Sequence, residues 1–269
     1  MRWPEPQRVG DSIRKIAREI ILPAAGGLPA EARWEKSPGQ LVTEIDRTAE
    51  SALGAELASL SPGWPVIGEE GVDADPQTLS ALSGEAPVWV LDPVDGTRNF
   101  AEGSDIYAVI VALLWYGKTI AGWIYDPPRD RLAHAEAGQG AWVDGQPAHL
   151  AAAVPAGAMV GVVDRKLTPE VSRAELRQRA KLFHRTETLG CAAHQYLRLL
   201  TGAYHFATAR RTKPWDHAAG VLMVEEAGGY AARIDGSLYR PADLEPALLI
   251  APDRSIWRTI HEILTGPSQ

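Results

Sequence analysis

The apolar segments of this chain that look most like buried strands end directly in carboxylates. Val88-Trp89-Val90-Leu91 leads straight into Asp92-Pro93-Val94-Asp95-Gly96-Thr97, and Val66-Ile67 is followed by Gly68-Glu69-Glu70. Carboxylates at the ends of buried strands cannot all stay ionised close together unless a cation compensates them. The pattern therefore predicts a fold that gathers strand ends around a cation.

Composition places the chain among ordinary globular proteins. Hydrophobic residues make up 45% and charged residues 23%, which excludes disorder, collagen and a disulfide scaffold. The single cysteine, Cys191, excludes an intramolecular disulfide and suits a reducing compartment, so we expect a cytoplasmic protein. Because no run reaches the roughly 18 apolar residues of a membrane helix, we expect no membrane span.

The net charge constrains the partners. Lys and Arg number 27 against 34 Asp and Glu, a formal net charge of −7, which argues against a nucleic-acid polymer as partner. An anionic substrate fits this charge only if metal ions or a local basic cluster invert the field at the site.

Hydrophobic periodicity and turn signals predict helices at both ends of the chain and strands between them. In chain order they predict a helix capped by Asp11 and ended by Pro23, a helix following Asp46 and ending before Ser61, a surface excursion over 71–87, an antiparallel meander over 106–142, and helices near 190–201, 216–227 and 255–264. Helices, then a meander, then mixed elements favour a layered α+β fold over a Rossmann sheet.

Four polar clusters fall at the ends of these elements: Asp46, Glu69-Glu70, Asp92 to Thr97, and Trp215-Asp216-His217. Each has an ordinary explanation by itself: a solvated acid pair, a strand-to-turn junction or a helix cap. Together they offer oxygen ligands without cysteine or paired histidine, which selects Mg²⁺ or Mn²⁺ over zinc. Mg²⁺ usually takes its remaining ligands from water and substrate phosphate. The combination predicts metal-assisted hydrolysis of a phosphate ester.

The chain contains four longer motifs: Leu41-Val42-Thr43-x-x-Asp46, Ile67-Gly68-Glu69-Glu70, Trp89-Val90-Leu91-Asp92-Pro93-Val94-Asp95-Gly96-Thr97-Arg98-Asn99-Phe100, and Trp215-Asp216-x-Ala218-Ala219-Gly220. Together they resemble the inositol monophosphatase family of the lithium-sensitive, Mg²⁺-dependent sugar phosphatase superfamily. Their order and spacing match that family over about residues 10 to 265. The resemblance implies a layered α-β-α-β-α sandwich. It also implies an N-terminal α+β half, residues 1–150, with most metal ligands, and a C-terminal α/β half, residues 151–269, with the remaining ligand and the substrate-selecting residues.

The resemblance implies two to three Mg²⁺ ions, with Mn²⁺ as a substitute. Glu69, Asp92 and the Val94 carbonyl would hold the first ion. Asp92, Asp95 and Asp216 would hold the second, with Asp216 also facing the substrate. Glu69 and water would serve a third, weaker ion.

The resemblance also implies a catalytic set of Asp46, Thr97 and Glu69. Thr97, oriented by Asp46, would position the attacking water and help to deprotonate it. The backbone amides of Gly96 and Thr97 would bind the phosphate. Lys36 resembles a basic residue near the family's site, although it also fits a solvated loop lysine.

The side of the site that faces the leaving group departs from the family pattern. Gly190-Cys191-Ala192 resembles a segment that lies beside the substrate in the family, but cysteine replaces the usual hydroxyl residue. Cys191 is then either a small buried side chain that fills space, or a substitution that removes a hydrogen bond toward a polyol. The segment 207–214 lacks the acid that inositol-specific members offer to inositol hydroxyls. It carries Arg210, Arg211 and Lys213 instead, which suit a second phosphate or a solvated basic loop.

We therefore expect a phosphatase of a small phosphorylated metabolite. Its substrate would be a sugar or polyol phosphate, a nucleotide 3′-phosphate or histidinol phosphate, with a nucleotide bisphosphate or a sugar bisphosphate as alternatives. The segment 207–214 argues against inositol itself as the preferred alcohol. Asp164-Arg165-Lys166 is a further candidate for contact with the substrate. The resemblance also implies inhibition by Li⁺ and a homodimer.

Two more distant alternatives stay open at this point. Haloacid-dehalogenase-type phosphatases also carry an Asp-Gly-Thr signature, but their two aspartates lie two residues apart, whereas Asp92 and Asp95 lie three apart. A catalytically silent homologue would bind metal without turning over a substrate.

Overall fold

The residues that the computed structural model describes, 3–27, 33–37 and 40–266, form eight α-helices and fourteen strands. The helices are α1 (Pro6–Ile16), α2 (Glu44–Leu60), α3 (Glu69–Ala74), α4 (Thr97–Ala101), α5 (Arg173–Ala180), α6 (Ala192–Leu200), α7 (Pro214–Glu226) and α8 (Arg254–Thr265). The strands are β1 (Arg33–Ser37), β2 (Gln40–Thr43), β3 (Val66–Gly68), β4 (Val88–Asp95), β5 (Ala108–Trp115), β6 (Lys118–Asp126), β7 (Arg131–Glu136), β8 (Gly140–Val143), β9 (Gln146–Pro147), β10 (Val160–Val162), β11 (Arg185–Glu187), β12 (Phe206–Ala209), β13 (Tyr230–Arg233) and β14 (Leu248–Ala251).

The larger sheet has seven strands in chain order from β3 to β9. β3 and β4 are parallel, and every later pair is antiparallel, as the predicted meander requires. β4 is buried along its whole length because its side chains alternate between two cores: Trp89 and Leu91 enter one, Val88 and Val90 the other. Burial on both faces explains why the strand reads as a continuous apolar run.

The smaller sheet has the strand order β11-β10-β12-β14-β13. β10 is parallel to both β11 and β12, whereas β14 is antiparallel to β12 and β13. The chain passes from the larger to the smaller sheet between Pro147 and Val160, close to the division expected at residue 150. Two separate halves remain a prediction.

Helices cover the outer face of each sheet and fill the space between them. α1 and α2 pack Ile13 and Leu53 against the first face of the larger sheet. α6 and α7 lie between the sheets, while α5 and α8 cover the far face of the smaller sheet. This order of layers confirms the α-β-α-β-α arrangement.

A close contact between β6 and α7 sets the position of α7. A Cβ on Gly122 would lie 2.8 Å from the Cα of Ala219, so only glycine permits this approach. The contact holds the start of α7, with Asp216, over the larger sheet.

Three predictions about local structure were wrong. α1 begins at Pro6, not after Asp11, because proline is preorganised for the first helical turn. α2 begins at Glu44, so Asp46 is its third residue and not its predecessor. The segment 71–87 is not a plain surface excursion: it contains the end of α3 and a 3₁₀ helix, Pro76–Ser83, that buries Leu82.

Within the described ranges, the structure has no helix that is both long and apolar enough to cross a membrane.

Candidate active site

Three carboxylates converge where the larger sheet meets α7. One oxygen each from Glu69, Asp92 and Asp216 lies within 4.8 Å of the others. Glu69 is the first residue after β3 and Asp92 lies in β4, and these two parallel strands pair with Gly68 opposite Leu91, so the acids that follow stand side by side. Asp216 reaches the same point as the third residue of α7. We call these three residues the acid cluster.

The acid cluster is electrostatically strained without a cation. Burial, followed by repulsion from Glu69, Asp95 and Asp216, raises the pKa of Asp92 well above its ordinary value. Burial and repulsion from Glu69 and Asp95 raise the pKa of Asp216 in the same way. Both shifts have the direction expected when carboxylates share a buried site.

Lys213 supplies one positive charge to this cluster. Its Nζ lies 2.8 Å from Oε1 of Glu69 and 5.2 Å from the centre of the Trp215 ring. Burial alone would disfavour the ammonium, but the nearby Glu69, Asp216 and Asp92 raise the pKa of Lys213. Lys213 is therefore a fixed counter-charge of the acid cluster.

Asp95 stands beside the cluster and is held by the start of α6. Its Oδ2 accepts hydrogen bonds from the backbone N–H of Ala193 at 2.6 Å and from Sγ of Cys191 at 3.0 Å. Burial raises the pKa of Asp95, and these hydrogen bonds oppose the rise. Burial and the neighbouring Asp95 raise the pKa of the Cys191 thiol far above its usual value. Cys191 is thus a buried, protonated donor to Asp95, a role that its description as a filler misses.

A second acid holds the hydroxyl of Thr97. Thr97 Oγ1 lies 3.1 Å from both Oδ1 of Asp46 and the carbonyl oxygen of Val94. The other oxygen of Asp46 accepts from the backbone N–H of Thr43 at 2.8 Å and from its hydroxyl. Desolvation raises the pKa of Asp46 despite these hydrogen bonds.

The turn between Asp95 and Thr97 requires glycine. Gly96 has φ 91° and ψ 35°, and a Cβ there would lie 2.9 Å from the carbonyl oxygen of Ile106. Asn99 fixes this turn because its Nδ2 donates to the carbonyls of Ile106 and Leu189, each at 2.8 Å. The second bond ties the turn to the segment before α6. Asn99 belongs to the third motif, but its residue type and position there did not predict this role.

A cavity of about 400 Å³ opens beside Asp95 and Asp216. The residues predicted to bind substrate that line it are Gly190, Cys191, Ala192, Arg210, Arg211 and Asp216. Lys213 is not among the lining residues, so the structure separates it from the two arginines.

Two more polar residues singled out in the sequence are His217 and Lys36. His217 has a structural role: its Nδ1 bonds to the Tyr196 hydroxyl at 2.9 Å, its Nε2 bonds to the Arg211 carbonyl at 3.0 Å, and burial lowers its pKa to about 4. The side chain of Lys36 lies outside the described residues.

Comparison with known proteins decides the family. The profile described as the inositol monophosphatase family matches residues 9–267. The chain belongs to this family. An inositol-1-monophosphatase of Bacillus subtilis is 29% identical over 264 residues, which cover 97% of this chain and 96% of that protein. One from Mesorhizobium japonicum is 32% identical over 210 residues, 75% of each protein. Among solved structures, the Thermotoga maritima IMPase has the same fold, with a TM-score of 0.80 and 24% identity over 95% of this chain and 94% of that one.

Membership in the inositol monophosphatase family makes the chain a phosphoric monoester hydrolase of the inositol phosphatase type. This membership excludes the alternative that the chain is a haloacid-dehalogenase-type phosphatase. The acid cluster then lies where this family's motifs converge.

Proposed function

We propose that this chain hydrolyses phosphate monoesters of small hydroxylated metabolites with the help of Mg²⁺. The observation that carries the proposal is the acid cluster: three carboxylate oxygens within 4.8 Å of one another, in an environment that raises the pKa of Asp92 and Asp216. Such an arrangement is stable in its ionised form only around a cation.

The donor set fits magnesium. Glu69, Asp92, Asp95 and Asp216 provide four carboxylates, and the single ammonium of Lys213 leaves a formal charge of −3. Hard oxygen ligands of this kind suit Mg²⁺ or Mn²⁺ and do not favour zinc. We assign Glu69, Asp92 and the Val94 carbonyl to one ion and Asp92, Asp95 and Asp216 to another.

Metal ions bound here would neutralise charge on the phosphate and lower the pKa of the attacking water.

Thr97 and Asp46 provide the protein's own part of the reaction. Because Asp46 is held by Thr43 and faces the Thr97 hydroxyl, it orients that hydroxyl and can accept its proton. Thr97 Oγ1 can then accept a hydrogen bond from water and align it for attack. No covalent phosphoenzyme is required, and displacement at phosphorus proceeds in line.

The cavity restricts the leaving group. Its volume of about 400 Å³ fits a small metabolite. Arg210 and Arg211 line it, whereas the neighbouring strand residues Ala207 and Thr208 have no carboxylate that could bind the hydroxyls of a polyol. The relatives from B. subtilis and M. japonicum are named inositol-1-monophosphatases. We therefore infer that inositol phosphate is hydrolysed but is not the preferred substrate over phosphates with a second anionic group.

The test is Mg²⁺-dependent release of phosphate from myo-inositol 1-phosphate, a nucleotide 3′-phosphate, histidinol phosphate and a sugar bisphosphate at equal metal concentration. Wild-type protein is expected to turn over at least one of them, and Asp92→Asn to lose activity at any Mg²⁺ concentration. The exposed acid Asp73 offers a matched control, Asp73→Asn, which should keep full activity. Calorimetric Mg²⁺ binding without turnover of any substrate would show a silent homologue and refute the proposal.

The family resemblance also supports a homodimer, competition by Li⁺ at one metal position and a cytoplasmic location, and we propose these together with the activity.

A further inference from the structure

A second cavity, of about 480 Å³, adjoins the one beside Asp216 and is strongly basic. Its charged or titratable lining residues are Asp164, Arg165, Arg173, Arg177, Lys181, His184 and Arg185. Apolar side chains, including Leu176 and Phe183, complete the wall. We call it the basic cavity. A local concentration of positive charge of this size is notable in a chain whose net charge is −7.

The positive charges are poorly balanced within the protein. Arg185 has an acidic partner, Glu187, at 2.9 Å. The one carboxylate of the lining, Asp164, instead accepts from the backbone N–H groups of Arg165 at 2.6 Å and Arg210 at 2.9 Å. Among the described residues, the guanidinium groups of Arg173 and Arg177 have no ion-pair partner.

Arg173 and Arg177 also repel each other. They stand four residues apart on α5 and line the same cavity. Like charges at this spacing destabilise a helix by roughly 0.2–0.5 kcal/mol. An anion between them would remove the repulsion, and guanidinium groups can bind a phosphate or carboxylate with two hydrogen bonds each.

The two cavities share a wall. Val163, Asp164, Arg165 and Thr188 line both of them. A ligand that spans both cavities would have its leaving group beside Asp216 and its other end beside Arg173 and Arg177.

We propose that the basic cavity binds a second, remote phosphate group of the substrate, so that the enzyme prefers metabolites with two phosphate groups. This inference rests on the proposed phosphatase activity. It places the second phosphate on α5 and the loop after β10, away from Arg210, Arg211 and Lys213, the residues that the sequence singled out.

The test compares one-phosphate and two-phosphate substrates in a double variant, Arg173→Gln with Arg177→Gln. The probes are myo-inositol 1-phosphate and fructose 1,6-bisphosphate. We expect KM for the bisphosphate to rise about tenfold or more, because each charge-assisted contact contributes on the order of 1.5–3 kcal/mol. KM for inositol phosphate should change less than about twofold, since its single phosphate does not contact Arg173 or Arg177 and feels their charges only through a field that salt screens. The exposed Arg258 of α8 provides the control, Arg258→Gln, which should change neither value.

Equal changes in KM for both substrates would reveal a general field effect and overturn the proposal, as would no change for either. A direct measurement separates this result from failure of the proposed function. In a Thr97→Val background, where turnover is suppressed, calorimetric titration should show weaker binding of the bisphosphate in the double variant. Loss of pyrophosphate binding with unchanged bisphosphate binding would identify a site for a free anion and refute the substrate assignment.

Discussion

Removing the charge of Asp216 is expected to stabilise the metal-free protein and to abolish its response to Mg²⁺. Asp216 faces Glu69 and Asp92 within 4.8 Å. At an effective dielectric constant of about 20, two unit charges at that distance repel by about 3 kcal/mol. Lys213 attracts Asp216 and offsets part of this repulsion. The net gain expected for Asp216→Asn is therefore on the order of 2 kcal/mol, or about 4 °C in Tm for a chain of this size.

The gain should depend on pH in a defined direction. The folded-state pKa values of Asp92 and Asp216 are raised, so between the ordinary carboxylate pKa and the raised values the folded protein binds more protons than the unfolded chain. Stability of the metal-free wild type therefore falls as pH rises through this window. The advantage of Asp216→Asn should be small near pH 4 and should grow toward neutral pH.

Thermal unfolding in EDTA and in Mg²⁺, at pH 5 and pH 8, measures both effects. Mg²⁺ at 100 times its Kd stabilises the wild type by about 2.7 kcal/mol, or about 5 °C, and should not stabilise Asp216→Asn comparably. Glu175→Gln is a matched control, because Glu175 is also the third residue of its helix and, among the residues that the structure describes, forms its ion pair with Arg179, at 2.6 Å. A lower Tm of Asp216→Asn in EDTA, or an undiminished Mg²⁺ shift, would refute the description of the acid cluster.

Three further predictions concern neighbouring residues. Thr97→Val should lower kcat by about 10²–10⁴, the range for loss of proton-transfer assistance, while calorimetry finds Mg²⁺ binding unchanged. Cys191→Ser keeps a donor to Asp95 and should retain kcat within about threefold, whereas Cys191→Val removes the donor and should weaken Mg²⁺ binding measured by calorimetry. In the native protein, the buried Cys191 thiol should react with a thiol reagent only after unfolding. Lys213→Gln removes a positive charge from the acid cluster, so Mg²⁺ should bind about tenfold more tightly in calorimetric titration; unchanged or weaker binding would show that Lys213 is not a competing cation.

The central architecture was predictable because it depends on patterns that are local in the sequence. β4 reads as a strand because both of its faces are buried, and the meander from β5 to β8 is divided by turns that can be read directly. The start of α1 was misplaced for a competing local reason. Asp11 is a good helix cap by type, but Pro6 lies earlier and already fits the first helical turn.

The partners of individual side chains were less predictable because they depend on tertiary placement. Arg210, Arg211 and Lys213 look like one basic segment in the sequence. The third residue turns to Glu69 because it immediately precedes α7, whose first turn points into the acid cluster. Cys191 likewise gains its partner, Asp95, only when the start of α6 meets the end of β4.

Arg173 and Arg177 illustrate a further limit of the sequence. On α5 they resemble a solvated basic face, since the helix also contains Arg179 paired with Glu175. What distinguishes them is that, in the part of the chain that the structure describes, neither guanidinium has an ion-pair partner, and the one carboxylate of the cavity lining, Asp164, is held by backbone N–H groups. This is a property of the smaller sheet and its loops and not of the helix itself.

The arrangement explains how an acidic chain can accept an anionic substrate. Negative charge is concentrated at the buried carboxylates around Asp92, where two divalent cations would reverse its sign, and positive charge is concentrated in the adjoining basic cavity. The field that a phosphate meets depends on these neighbouring groups far more than on the net charge, because exposed charges further away than about 8–10 Å are largely screened at physiological salt. Metal ions and a basic cluster are therefore complementary here: the first would act on the phosphate that is cleaved and the second on the phosphate that is retained.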